Sequence, residues 1–249
     1  FVEAKPSFIL KLMKADLLVA VGRELEIGWL PPLVQQSRNS KIQPGAEGYL
    51  DASGRAKILE IPQGQITRAM GDVHPLGNPH YWLDPENGKV IGREIADKLS
   101  RFRPNDSAYF EQRLADFSNR LNEATKRWLT TMAPYKGLKV ATYHRSFPNF
   151  TERFGLDVIG YVEPRPGIPP SPSHTLALIQ EMKRQKVKII LVEPYFDLKT
   201  PNAIARGTGA RVVILAPSVG GAKEATDYFK LCDYNINMLV AAITESGAQ

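Results

Sequence analysis

Residues 105–132 read NDSAYFEQRLADFSNRLNEATKRWLTTM. Apolar side chains fall at Phe110, Leu114, Phe117, Leu121, Ala124, Trp128 and Leu129, in steps that mostly alternate four and three. That spacing places them on one face of an α-helix. At 1.5 Å per residue, nearly thirty residues make a rod of roughly 40 Å. Strand and helix signals stand on both sides of it. The pattern predicts an α/β protein of two lobes joined by one long rigid helix. The N-terminal lobe covers 1–104, the connecting helix 105–133 and the C-terminal lobe 134–249.

Downstream of the rod, strand and helix alternate. Strands are expected at Leu138–Tyr143, Asp157–Val162, Val187–Val192 and Arg211–Leu215. Helices are expected at Phe147–Phe154, at Thr175–Lys186 with Ser173 as N-cap, at Pro201–Arg206 and at Lys223–Thr244. Upstream, a helix over Lys5–Lys14 leads into a buried-type strand over Asp16–Gly22, and Lys57–Ile61 reads as a second strand. The stretch from Gln63 to Pro79 is loop-like, and a helix runs over residues 86–102 behind Asp84-Pro85. Such alternation predicts, in each lobe, a mainly parallel sheet flanked by helices. Ligands of such sheets bind beyond the carboxyl ends of the strands. His144, Glu163 and Glu193 all stand at such ends.

Composition narrows the function classes. The chain has 249 residues, 43% of them hydrophobic, and no apolar run near the ~20 residues that span a bilayer. Its net charge of +6 is scattered, without a basic run interleaved with aromatics, which argues against nucleic acid as a partner. The single cysteine, Cys232, excludes an internal disulfide and a cysteine-built zinc site, and its surroundings read as helix packing. The chain opens on Phe1, so a processed or shortened start is expected, with any export signal outside the sequence.

The chemistry concentrates at Gly77-Asn78-Pro79-His80-Tyr81-Trp82-Leu83-Asp84-Pro85. Prolines on both sides restrict this loop. A histidine held stiffly has already lost the entropy that binding a metal would cost it. Neutral imidazole is the commonest metal ligand, and a histidine-dominated set suits zinc, whereas manganese favours more oxygen ligands. His80 lies in the first lobe and His144 in the second, so an ion they shared would bridge the lobes. H-E-x-x-H, G-x-S-x-G, G-x-G-x-x-G and the P-loop pattern are all absent.

Asn78-Pro79-His80-Tyr81-Trp82-Leu83-Asp84-Pro85 resembles the second-ligand motif of the zinc- and manganese-binding receptors that serve ABC importers. Thr142-Tyr143-His144-Arg145-Ser146-Phe147 resembles their third-ligand motif. Val192-Glu193-Pro194-Tyr195-Phe196 and Ala4-Lys5-Pro6-Ser7 resemble two further family segments, and the likeness spans essentially the whole chain. The resemblance implies His80 and His144 as metal ligands and one divalent ion in an interlobe cleft. It also implies a membrane permease as partner, and a periplasmic or extracellular location, with lipid anchoring through a lost N-terminus as one form. Zinc is the expected ion and manganese the second choice; the protein is expected to be a monomer, without enzymatic activity and without nucleic acid. A rigid connecting helix argues against wide hinge opening.

Two departures stand out. The family's first ligand would fall just upstream of Phe1. Its fourth, commonly an aspartate after the last strand, meets Leu215-Ala216-Pro217-Ser218-Val219-Gly220, which carries no carboxylate. Water, Glu163 or Glu193 are the substitutes to weigh. Otherwise the two glutamates read as caps of loops, Tyr81 and Trp82 as packing, and Asp84 as an N-cap or a support for an imidazole. His74, in the loop Gly71-Asp72-Val73-His74-Pro75, reads as a surface residue, and His174, beside a helix start, as a surface or capping residue. The rival functions are a metal-dependent hydrolase with Glu193 as base and a surface adhesin stabilised by metal.

Overall fold

The computed structural model describes residues 2–64, 71 and 74–247. It divides into two units. The first comprises Phe1–Pro62, His74–Tyr81 and Glu86–Arg120, and the second Gln63–Val73, Trp82–Pro85 and Leu121–Gln249.

The first unit holds α1 (Pro6–Met13), β1 (Leu18–Ala20), α2 (Leu30–Gln36), β2 (Tyr49–Asp51) and nearly all of α3 (Pro85–Phe102). Proline occupies the first turn of α1, where its missing N–H costs nothing. β1 and β2 pair in parallel, Val19 opposite Leu50. Leu12, Ala20, Leu30, Leu33, Val34 and Ile42 form the core beneath them. Each large side chain buried there contributes about 1.5–3 kcal/mol.

The strand expected at Lys57–Ile61 does not form. The Asn87 side chain accepts from Lys57 N at 2.7 Å and donates to Lys57 O at 3.1 Å, and Glu60 sits at φ 50°. The Lys57 groups a sheet would use are already engaged, and the second strand is Tyr49–Asp51.

The long helix is α4 (Ser107–Met132), entered through a 3-10 turn at Pro104–Asp106. It begins in the first unit and ends in the second. Leu114, Leu121, Ala124 and Trp128 are buried as the periodicity requires, but Leu129 is 40% exposed. Met132, one turn beyond Trp128, takes the inward position. Within the first unit α3 packs on α4 at Gly92, where an added Cβ would stand 3.3 Å from Leu114 Cδ1.

The second unit is a four-stranded parallel sheet in the order β4-β3-β5-β6. The strands are β3 (Lys139–Thr142), β4 (Asp157–Tyr161), β5 (Ile189–Val192) and β6 (Arg211–Ile214). Its helices are α5 (Pro148–Phe154), α6 (Pro172–Arg184), α7 (Lys199–Thr208) and α8 (Tyr228–Ser246). Every residue of β5 is fully buried, as a central parallel strand covered on both faces must be. The N-cap of α6 is Ser171, whose Oγ accepts from His174 N, and not Ser173: Pro172 fits the first helical position and sets the cap one residue earlier.

Two features of this sheet position the chemistry. From β3 the chain crosses outward to β4, whereas from β5 it crosses to β6 on the other side. The boundary between β3 and β5 is therefore the switch point at which such sheets open a crevice. The β3–β4 pairing also carries a bulge. Val140 faces Val158 and Ala141 faces Gly160, so Ile159 is skipped.

Among the described residues no helix is long and apolar enough to cross a membrane.

Candidate metal centre

The His80 loop is stiffened within the first unit by hydrogen bonds. Asn78 Oδ1 accepts from His80 N at 2.9 Å and lies 3.1 Å from His80 Nδ1, while Asn78 Nδ2 donates to Glu60 Oε2 at 3.0 Å. A carbonyl oxygen can only accept, so Nδ1 carries the proton and Nε2 the lone pair. Tyr81 O–H donates to Val21 O at 2.6 Å, and burial holds its hydroxyl well above the ordinary range, helped by Asp51 and Glu26. Asn87 Nδ2 donates to Tyr81 O. His80 is 8% exposed.

The next four residues, Trp82–Pro85, belong to the second unit. Trp82 Nε1 donates to Pro217 O at 2.9 Å, and Tyr228 O–H donates to Trp82 O at 2.6 Å. Arg153 engages both oxygens of the Asp84 carboxylate.

His144 lies at the switch point of the four-stranded sheet. Tyr161, Thr142 and Leu191 pair across β4, β3 and β5; two residues further along each strand stand Glu163, His144 and Glu193. The three ends expected from the sequence to carry chemistry thus lie side by side. Glu163 Oε2 is 2.5 Å from His144 Nδ1, and Glu163 Oε1 accepts from Gly167 N at 2.9 Å. Thr142 Oγ1 donates to the His144 carbonyl, and the His144 ring lies 5.9 Å from that of Phe196, which stacks on Tyr143.

Glu193 is fully buried, and neither carboxylate oxygen has a hydrogen-bond partner; Ser146 Oγ nearby is equally unpartnered. Burial raises the Glu193 pKa. A buried carboxylate without a partner is costly, and a cation beside it would offset that cost. An imidazole whose Nδ1 faces an oxygen and a carboxylate of this kind are each donor types that suit a divalent ion. Among the described residues no three His, Cys, Asp or Glu side chains already converge on one ion-sized point.

The other expected residues stand elsewhere. His174 Nε2 bonds the Tyr161 carbonyl at 2.9 Å, which makes it a tie between α6 and β4. The His74 carbonyl accepts from Gly77 N, and Asp72 and Val73 of its loop lie outside the described residues. The stretch after β6 is a structural anchor: Asn235 accepts from Ala216 N and donates to Ala216 O, both at 2.8 Å. A cavity of about 410 Å³ beside α5 and β4 is lined by Arg145, Glu152 and Asp157, among others, and by none of His144, Glu163 or Glu193. Sequence reasoning missed Asn78, Asn87 and Asn235. Only Asn78 left a signal, an asparagine two residues before the histidine whose backbone it binds.

The high-affinity zinc uptake system protein ZnuA of Brucella abortus is 26% identical over 150 residues, 60% of this chain and 45% of that protein. The chain thus spans less than half the length of that relative. The manganese ABC transporter substrate-binding lipoprotein PsaA of Streptococcus pneumoniae is 22% identical over 98% of this chain and 78% of its own. A crystal structure of ZnuA superposes with a TM-score of 0.79 at 24% identity, covering 97% of this chain and 85% of the other, and so shares the fold. The family described as zinc-uptake complex component A, periplasmic, matches residues 1–242, and the chain belongs to that ZnuA family.

Proposed function

We propose that this protein captures a divalent metal ion outside the cytoplasmic membrane and delivers it to the permease of an ABC importer. His80 and His144 are the ligands it contributes from its two lobes, in a cleft between them. Zinc is the favoured cargo and manganese the second. The protein acts as a monomer, makes or breaks no covalent bond of a substrate, and has no nucleic-acid partner.

The observation that carries this reading is the pair of oriented imidazoles. Each has its Nδ1 turned to an oxygen acceptor of its own unit, Asn78 for His80 and Glu163 for His144. That arrangement presents Nε2, and it is how proteins commonly hold metal-bound histidines. Names of relatives support the choice of cargo, since zinc stands in one and manganese in another. Selectivity between the two would follow from how many oxygen donors join the imidazoles.

The test is a competitive zinc and manganese titration of the full-length protein, with His80→Ala and His144→Ala alongside. The expected result is one tight zinc site that both substitutions weaken severely. Preferential tight binding of manganese would keep the receptor and change its cargo. Binding of neither ion, or binding indifferent to both substitutions, would overturn the assignment.

A further inference from the structure

We propose that Glu163 is a positioning residue for His144, fixing the tautomer and the ring orientation with which that histidine meets a metal ion. The inference rests on the metal-capture reading for its purpose, though not for its geometry.

Glu163 has both carboxylate oxygens committed. Oε2 faces His144 Nδ1 at 2.5 Å, and Oε1 accepts from the backbone N–H of Gly167 at 2.9 Å. The Glu163 backbone N–H in turn donates to Tyr143 O at 3.0 Å, which ties the residue to the strand that carries the histidine. Its side chain is 9% exposed, so water competes poorly for these bonds. One bond to each oxygen fixes the plane of the carboxylate between the histidine and the loop after β4. As it stands it is a fixed acceptor with a negative charge.

A fixed acceptor at Nδ1 decides where the proton of a neutral imidazole resides. Nδ1–H faces the carboxylate, and the lone pair is left on Nε2. The carboxylate also makes the ring a stronger donor toward a cation, because it stabilises the positive charge the imidazole acquires on coordination. Loss of such a partner costs roughly 10–100-fold in metal affinity. Glu193, level with Glu163 on the opposite side of His144, has no such bond. The two glutamates beside this histidine are therefore not equivalent.

The experiment uses long-range 1H–15N spectra of the imidazoles in the metal-free, 15N-labelled protein in mildly alkaline buffer, paired with zinc titration of the same samples. In the wild type, His144 is expected to carry its proton on Nδ1. Glu163→Leu is expected to move the proton to Nε2, the form ordinarily favoured in water, and to lower zinc affinity by roughly 10–100-fold. Glu163→Gln retains size and an acceptor oxygen without the charge, and its loss of affinity should be smaller. A wild-type ring protonated on Nε2 overturns the proposal, as does a Glu163→Leu protein with unchanged tautomer and affinity. If Glu163→Leu fails to fold, the wild-type spectrum and the Glu163→Gln affinity decide. Absence of zinc and manganese binding in the wild type would overturn the capture reading, while the tautomer result would still decide the role of Glu163.

Discussion

Arg153 holds the carboxylate of Asp84 in a two-pronged grip, Nε to Oδ1 at 2.6 Å and Nη2 to Oδ2 at 2.8 Å. The Asp84 side chain is only 7% exposed, whereas that of Arg153 is 26% exposed. A pair with this geometry fixes the chain four residues beyond His80. Removing one partner strands a desolvated charge, which is worse than removing both.

Arg153→Leu is therefore expected to lower stability by roughly 2–4 kcal/mol, a value reduced from that of a fully buried pair because the arginine is partly solvated. Asp84→Leu combined with Arg153→Leu should recover much of that loss. Urea unfolding of the two single variants and the double variant measures the coupling. Strictly additive effects would show that the grip contributes nothing of its own.

Asn78 offers a test at the other histidine. Asn78→Ala removes the acceptor from both the backbone N–H and the Nδ1 of His80. Zinc affinity is expected to fall roughly 10-fold through loss of ring orientation. Titration alongside His80→Ala separates the effects, since Asn78→Ala should weaken the site without abolishing it. An unchanged affinity would mean that the ring keeps its orientation without Asn78.

Much of the fold was legible in the sequence, for physical reasons that also explain the exceptions. Runs such as Ile189-Ile190-Leu191-Val192 announce a buried parallel strand because no solvated face is needed. The four-three spacing of Phe110, Leu114, Phe117, Leu121, Ala124 and Trp128 announces a helix for the same kind of reason. Lys57–Ile61 misled because its competitor, the Asn87 amide, lies thirty residues away and leaves no local mark. Tyr49-Leu50-Asp51 was missed because three residues with one buried member carry too little pattern. α2 was missed behind Pro31-Pro32, although prolines in a first turn are compatible with a helix. At the site, His80 and His144 stood out by motif, and Glu163 and Glu193 by strand-end position. Which glutamate bonds the imidazole depends on side-chain placement across neighbouring strands, and no residue-by-residue pattern expresses that.

Cys232 provides a clock for opening of the second unit. The thiol is buried in α8, and desolvation, with Asp233 and Asp84 nearby, pushes its pKa up to about 12. A thiol that is neither ionised nor accessible reacts slowly. Modification by a chromogenic disulfide reagent is expected to be negligible in native buffer and to rise with urea in step with unfolding. Prompt reaction in native buffer would show that α8 opens locally.

Glu94 should leave a signature in the pH dependence of stability. Burial raises its pKa; Arg55 pulls it down, while Asp51 and Asp97 push it up. Its Oε2 is buried without a hydrogen-bond partner. A carboxyl whose folded-state pKa is raised binds its proton more tightly in the native state than in the unfolded chain. Its favourable contribution is complete below the unfolded value and is lost as pH rises through the folded one. The Glu94→Gln variant should therefore gain stability relative to the wild type across that interval and hold a constant advantage above it. Unfolding measured from acid to neutral pH reads the difference, and a flat difference would show that the native environment does not perturb this group.

The skipped residue in β4 has a consequence for how such chains diverge. Pairing runs Val140 to Val158 and then Ala141 to Gly160, so every later residue of β4 stands one place back against β3. Were Ile159 paired and not skipped, Val162 would oppose His144, and Glu163 would stand one place on, toward the other face of the sheet. Loss of the bulge at unchanged strand length would thus exchange a carboxylate for an isopropyl group beside an untouched histidine, whereas deletion of Ile159 would straighten the strand and leave Glu163 in place. The histidine's chemical character is inherited through the pairing register of its neighbouring strand as much as through its own motif, and changes that make or remove a bulge in β4 would be a means by which lineages retune the same residue.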